Sequence, residues 1–196
     1  MKRGRPRKTD PETALHAAMK VFWDRGYEGT SMSDLVDATG MAKPGLYANF
    51  GDKEALYAKA LTYYYEELGA PGLVDLATSE EPINVVVRRF LENVARAARD
   101  KEYPGGCFVL SSVVECGHQL PALETLARSF NEKRRMVFIR RFRIAEKQGQ
   151  LPAKANTKAL AESFSGQSLA LGVLGRGGAS QQTLNDFIDV AMTVLD

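Results

Sequence analysis

Histidine and cysteine are nearly absent from this chain, and their scarcity removes most catalytic chemistry at once. Only His16, His118, Cys107 and Cys116 occur in 196 residues. Neither histidine stands at a nucleophile, metal-ligand or acid–base spacing. Two cysteines cannot make a disulfide scaffold and suit a reducing compartment. The run Gly175-Arg176-Gly177-Gly178 lacks the Lys-Ser/Thr that a phosphate-cradling loop needs. No catalytic residue, metal or cofactor is therefore expected. Long apolar runs are missing too: none approaches the roughly 20 residues that cross a bilayer. The basic N-terminus is not followed by an apolar segment, so no secretory signal is expected, and a cytoplasmic location follows by default. No period-2 strand pattern, internal repeat or low-complexity tract is visible, which leaves helix.

Charge is balanced overall, at a formal +2, with 44% hydrophobic and 26% charged residues, as in ordinary soluble globular proteins. Its distribution is uneven. Lys2, Arg3, Arg5, Arg7 and Lys8 crowd the first eight residues without an acid. Such an arm releases counterions on meeting a phosphate backbone, or simply solubilises a floppy terminus.

Helical signals begin at Asp10-Pro11-Glu12, with Asp as N-cap, Pro at the first helical position and Glu at the positive dipole end. Leu15, Ala18, Met19 and Phe22 follow at helical spacing, and Gly26 can close the helix in a left-handed conformation. Ser31 and Asp34 form a capping-box pair ahead of Leu35, Val36 and Ala38; Gly40 ends that short helix. A third short helix is expected from about Lys43 to Phe50, and a fourth, capped by Asp52, carries Leu56, Tyr57, Ala60, Leu61 and Tyr64. Proline and glycine place a break between Gly69 and Pro82. Periodicity resumes over 83–100, 107–116, 121–148, 158–174 and 181–195. The fold class is all-α, of about nine helices: a basic arm (1–9), an N-terminal three-helix helix-turn-helix domain (10–52) and a helical ligand-binding and dimerisation domain (53–196).

Residues 30–53 carry the specific signal. Two short helices joined by a glycine turn can lay the second in the major groove while the first crosses the backbone. Leu35, Val36, Met41, Leu46 and Phe50 can pack against Phe22 and Trp23, which leaves Lys43, Pro44, Gly45, Tyr47 and Asn49 facing outward.

Phe22, Gly26-Tyr27, Gly29-Thr30-Ser31-Met32, Leu35, Gly40-Met41-Ala42-Lys43, Gly45 through Phe50 and Lys53-Glu54-Ala55-Leu56 together resemble the TetR/AcrR regulators. The resemblance is dense over the first sixty residues; beyond them it extends to the number and order of helices. It implies a regulator of transcription, most often a repressor, that binds double-stranded DNA at a palindromic operator as a homodimer and answers a small-molecule effector. It also implies phosphate contacts from Thr30, Ser31, Tyr47 and Lys53, and base-edge contacts from Lys43, Pro44 and Gly45. Ala42 departs from the family, which commonly places a capping Ser or Thr there; the recognition helix should start less firmly or be capped otherwise. Arg3-Gly4-Arg5-Pro6-Arg7 resembles an AT-hook core, which would lay Arg5 and Arg7 into a narrow minor groove.

The dimer is expected on the last two helices, through Phe164, Ser168 and Leu171 on one and Leu184, Phe187, Ile188 and Ala191 on the other, unless both stripes face their own core. Effector-pocket candidates are Cys107, Leu110, Ser111, Val114, Phe130, Phe138, Phe142 and Gln167, each of which could equally be plain core. The cationic cluster Lys133, Arg134, Arg135, Arg140, Arg141 and Arg143 reads either as an attractor for an anionic effector or as a solvated face paired with acids. Cys107, at an expected helix start, could serve as an electrophile or oxidant sensor or be inert. A continuous helix would hold Cys107 and Cys116 about 13 Å apart, too far for a disulfide.

Overall fold

A computed structural model describes residues 10–116 and 120–195. The arm, with Arg5 and Arg7, and His118 lie outside the described residues. All the regular structure among the described residues is helical, in this order: α1 (Pro11–Arg25), α2 (Met32–Thr39), α3 (Lys43–Phe50), α4 (Lys53–Tyr64), α5 (Ala70–Thr78), α6 (Ile83–Ala97), α7 (Phe108–Cys116), α8 (Pro121–Lys147), α9 (Thr157–Arg176) and α10 (Gln181–Met192). A π-helical turn, Tyr65–Gly69, joins α4 to α5, so Lys53–Thr78 runs as one continuous helical rod. Counted that way, nine helices lie among the described residues, as expected.

The rod corrects one expectation. The break foreseen at Gly69-Ala70-Pro71 does not occur; helix persists to Thr78. Pro71 has no N–H, and its ring disfavours an ordinary α register over the preceding turn. The π turn absorbs this by shifting the bond pattern, with Ala70 N–H donating to Tyr65 O. The true break is Ser79–Pro82, where Arg89 holds Asp75 (Nε–Oδ2 3.0 Å) and Glu81 (Nη1–Oε2 2.5 Å).

The cap signals form as the sequence indicates. Asp10 accepts from Thr13 N at 3.1 Å, and Asp52 accepts from Ala55 N at 2.8 Å. At α2 the capping box is complete, with Asp34 N donating to Ser31 Oγ and Ser31 N donating to Asp34 Oδ2. Gly26 does end α1, though at φ 72° and ψ −178° and not in the left-handed helical conformation expected; this backbone is essentially glycine's alone.

Two apolar cores result. The first joins α1–α4 to α7 and the beginning of α8, around Phe22, Tyr57 and Phe108. The second joins α5, α6, α9, α10 and the later part of α8, around Phe138, Phe142 and Phe164. Helix α8, 27 residues and so about 40 Å long, runs through both. The N-terminal helices thus share a core with α7 and α8 and do not stand apart as a separate globule.

The stripes expected to pair across a dimer mostly face inward. Phe164, Leu171, Leu184, Ile188 and Ala191 belong to the second core, and Ser168 is buried. Only Phe187 remains half-exposed. This corrects the assignment: α6 and α8 cover those faces within one chain. The outward apolar positions on the same helices are Val173 on α9, 58% exposed, Val190 on α10, 72% exposed, and Val194 just beyond, 48% exposed.

Candidate nucleic-acid interface

Helix α3 buries Leu46 and Phe50 and turns the rest of its surface to solvent. Lys43, Pro44, Tyr47 and Asn49 are exposed, Tyr47 by 44%, while Gly45 is half-buried. This is the face the sequence assigned to the outside. It is held by α1 and α2: Leu35 is fully buried, and Thr39 donates to Leu35 O while accepting from Met41 N, which stiffens the turn between α2 and α3.

Ala42 provides no side-chain cap, yet little is left unsatisfied. Pro44 has no N–H to satisfy, and Gly45 N donates to Ala42 O at 2.8 Å. Proline and a tightened first turn thus replace the missing hydroxyl. Gly45 is constrained from a second side, because a Cβ there would stand 2.9 Å from Met41 Cγ.

Each proposed contact residue has a distinct setting. Ser31 is exposed at the start of α2 and engaged in its capping box. Lys43 Nζ lies 5.9 Å from the Tyr47 ring centre, so a cation and a phenol are offered together. Asn49 Nδ2 donates to Gly45 O at 2.7 Å, which ties down the donor half of its carboxamide. Lys53 is half-buried, with Nζ 4.2 Å from the Tyr27 ring centre. Burial and the nearby Glu54 raise the Tyr27 hydroxyl above the usual phenol range. Thr30 requires a correction. It is fully buried and its hydroxyl donates to Gly26 O at 2.7 Å, so it closes the α1–α2 turn instead of presenting oxygen to a phosphate. Lys59 was missed: it reaches from α4 to Asn49 O at 3.1 Å, near the negative end of α3. Its helical position carried no signal that it would fold back on α3.

Behind this face lies a cavity of about 430 Å³, walled by α4–α5 with the π turn, α6, the segment before α7, α8 and α9. Of the expected pocket residues Cys107 and Phe130 line it. Leu110, Ser111, Val114, Phe138, Phe142 and Gln167 do not. Val114 is 78% exposed and Phe138 and Phe142 are completely buried in the second core, which is where helical periodicity alone cannot separate wall from core. The unforeseen lining comes from Tyr64, Tyr65, Asn131 and Arg134. Cys107 stands just before α7, its carbonyl accepting from Ser111 N at 3.0 Å, and both cysteines are free. Burial raises the Cys116 thiol above its usual value.

Contacts run from the cavity wall and α7 to α1 and α4. Tyr64 packs edge-on against Trp23 of α1 with ring centres 4.8 Å apart. Tyr57 of α4 meets Ser112 of α7 at 2.8 Å, and Glu28 N donates to Glu115 Oε1 at 3.2 Å. Arg176 at the end of α9 donates to Trp23 O, Asp24 O and Gly105 O.

Comparison with known proteins decides what this architecture is. The sequence model described as bacterial regulatory proteins of the tetR family matches residues 14–60, and the one described as the tetracyclin repressor-like C-terminal domain matches residues 86–189. The chain belongs to the TetR family. It is 31% identical to the HTH-type transcriptional repressor ComR of Escherichia coli (strain K12), over 93% of this chain and 87% of that protein. An uncharacterized HTH-type transcriptional regulator of Bacillus subtilis (strain 168), YezE, is 30% identical over 98% of this chain and 100% of its own length. Among solved structures, a cysteine mutant of the TetR family regulator CifR bound to a 26-base-pair double-strand operator DNA superposes with a TM-score of 0.87. That match covers 97% of this TetR-family chain and 98% of the other, at 28% identity. Among the described residues no helix is long and apolar enough to cross a membrane, and no cluster of His, Cys, Asp and Glu could hold a metal ion.

Proposed function

We propose that this TetR-family regulator is a repressor: it binds a palindromic operator as a homodimer and leaves it when a small molecule fills the cavity behind α4. The observation that carries this reading is the solvent-facing Lys43, Pro44, Tyr47 and Asn49 surface of a short helix braced from behind by a buried core. Lys43, Pro44 and Gly45 stand at the helix start, where side chain and backbone can approach base edges; Tyr47 and Lys53 are the side-chain phosphate contacts, and Ser31, whose own donors serve Asp34, meets a phosphate through the N-terminal end of α2 that it caps. Arg5 and Arg7 add minor-groove contacts from the arm. Residues 10–52 do the reading, and 53–196 hold the ligand and the partner copy, with α4 serving both.

One helix-turn-helix reads only a few base pairs, so tight specific binding calls for two half-sites. The pairing surface we assign is the outward side of α9 and α10, where Val173, Val190, Val194 and Phe187 are apolar and unburied. Gly166 lies on the exposed side of α9 with nothing within 4 Å of where a Cβ would stand, so a partner helix can come close.

Release follows from the linkage. Tyr64 and Tyr65 are at once cavity wall and the point where α4 passes into the π turn, and the start of α4 is capped next to α3. A ligand that moves the π turn tilts α4 and changes the separation of the two recognition helices, a coupling free energy between two sites. Selection of bound fragments from random duplex DNA tests the reading. A palindrome with half-sites about one helical turn apart supports it; uniform recovery of all sequences refutes it.

A further inference from the structure

The cavity contains a charge without a counter-charge. Arg134 projects from α8 into its lining, its Nε is buried without a hydrogen-bond partner, and no ion pair among the described residues includes it. One turn before it, Asn131 also lines the cavity with a buried, unpartnered Oδ1. The neighbouring Arg135 is different, bridging Glu132 and Glu162 outside the cavity. The two charged residues at the cavity rim, Arg96 and Asp100, are solvent-exposed and engaged with Asn93 Oδ1 and Glu102 N. The rest of the wall is largely apolar, including Leu73, Phe90, Val94 and Phe130.

A half-buried guanidinium whose Nε has neither solvent nor partner is costly to leave without an anion, and the residues around it offer none. Tyr64 and Cys107 share the cavity wall with it, and neither is a carboxylate. Burial pushes the Tyr64 hydroxyl well above the usual phenol range, so it does not supply the negative charge at neutral pH, and burial draws the Arg134 guanidinium below its usual value. A planar guanidinium fork presents parallel donors to an oxyanion.

Resting on the effector-release reading, we infer that the effector is a small amphipathic acid, its anionic oxygens on Arg134, a hydrogen-bond donor near its head on Asn131 Oδ1, and its apolar body along Phe90 and Phe130. About 430 Å³ admits a body of modest drug-like size. The charge also selects against cations and gives neutral molecules of the same shape a poorer fit, because they leave the guanidinium unpaired.

Calorimetry on the full chain without DNA tests this with three probes of one body: octanoate, octyl phosphate and octanamide. Octanoate or octyl phosphate should bind at least about tenfold more tightly than octanamide, the discrimination expected for a hydrogen bond to a charged group. Whichever of the two binds tighter identifies the acid as carboxylic or phosphoric. Arg134→Gln should bring all three within about twofold of one another, and Arg134→Lys should restore part of the gap. Bound octanoate should also slow alkylation of Cys107, which places the probe in the cavity. Equal binding of acid and amide, no binding by any probe, or a gap that survives Arg134→Gln would overturn the inference. DNA affinity measured in parallel separates the two readings. Acid that binds without loosening DNA leaves the anion site standing and refutes release, whereas release by a neutral compound with no acid bound does the reverse.

Discussion

Arg176 Nη2 lies 3.0 Å from Asp24 O, joining the C-terminal end of α9 to the C-terminal end of α1 across 152 residues of chain. The same guanidinium reaches Trp23 O at 3.2 Å and Gly105 O at 3.2 Å, so one side chain clasps the end of the first helix and the loop that enters the cavity. A cation at the carbonyl end of a helix is favoured by the dipole as well as by the bonds themselves. The side chain is exposed, so its role is to couple elements more than to stabilise the whole.

Arg176→Ala should therefore lower Tm by only about 2–4 °C, the shift expected for roughly 1 kcal/mol in a chain of this size. Hydrogen exchange in the Gly26–Thr30 turn should accelerate several-fold while exchange in α10 stays unchanged, because the opening is local. A uniform acceleration across the chain would show that Arg176 is an ordinary stability residue.

Tyr57 and Ser112 make the second strut. Ser112 Oγ donates to Phe108 O at 2.8 Å, so in its 2.8 Å contact with Tyr57 the phenol is the donor and Ser112 the acceptor. Tyr57→Phe keeps the ring, which packs edge-on with Phe22 and Phe108, and removes that bond together with the hydroxyl's contact to the Cys116 thiol. Unfolding in denaturant should show a loss of about 1 kcal/mol with an unchanged m-value. A loss of several kcal/mol would mean that the ring packing itself had changed.

Asp34 links stability to acid. Its carboxylate accepts from Ser31 Oγ and Ser31 N and meets Arg25 at 2.8 Å; the Ser31 bonds first, and Arg25 after them, hold it below the usual aspartate range. A depressed folded value makes this contribution complete above the unfolded value of about 4. It is lost as pH falls through the folded value. Melting curves between pH 7 and pH 3 should therefore fall more steeply below pH 4 in the wild type than in Asp34→Asn; parallel acid limbs would remove Asp34 from the linkage.

Much of this was legible in the sequence for a physical reason. Caps and turns are local chemistry, so Asp10, Ser31 with Asp34, Asp52 and Gly26 could be read from a few neighbouring residues. The outward face of α3 was legible because Leu46 and Phe50 fix which side is buried. What failed depends on partners distant in the chain. Thr30 looked like a phosphate ligand until the turn carried its hydroxyl back to Gly26 O. Phe164 and Leu184 looked like an interface because an apolar stripe does not say which apolar stripe it meets. Pro71 looked like a break because a π turn leaves no mark in periodicity. Arg134 and Arg135 are adjacent in one basic cluster, and only packing turns one into the cavity and the other toward Glu162.

The most direct test of the whole account compares affinity for the selected palindrome with affinity for random duplex at several salt concentrations, in wild type and in Lys43→Ala. The wild type should prefer its operator by at least about a thousandfold. Lys43→Ala should cost about 1–3 kcal/mol at the operator and leave random duplex far less affected, the mark of a base contact. An equal loss on both kinds of DNA would reduce Lys43 to a phosphate contact. No loss on either would contradict the claim that the exposed start of α3 reads DNA.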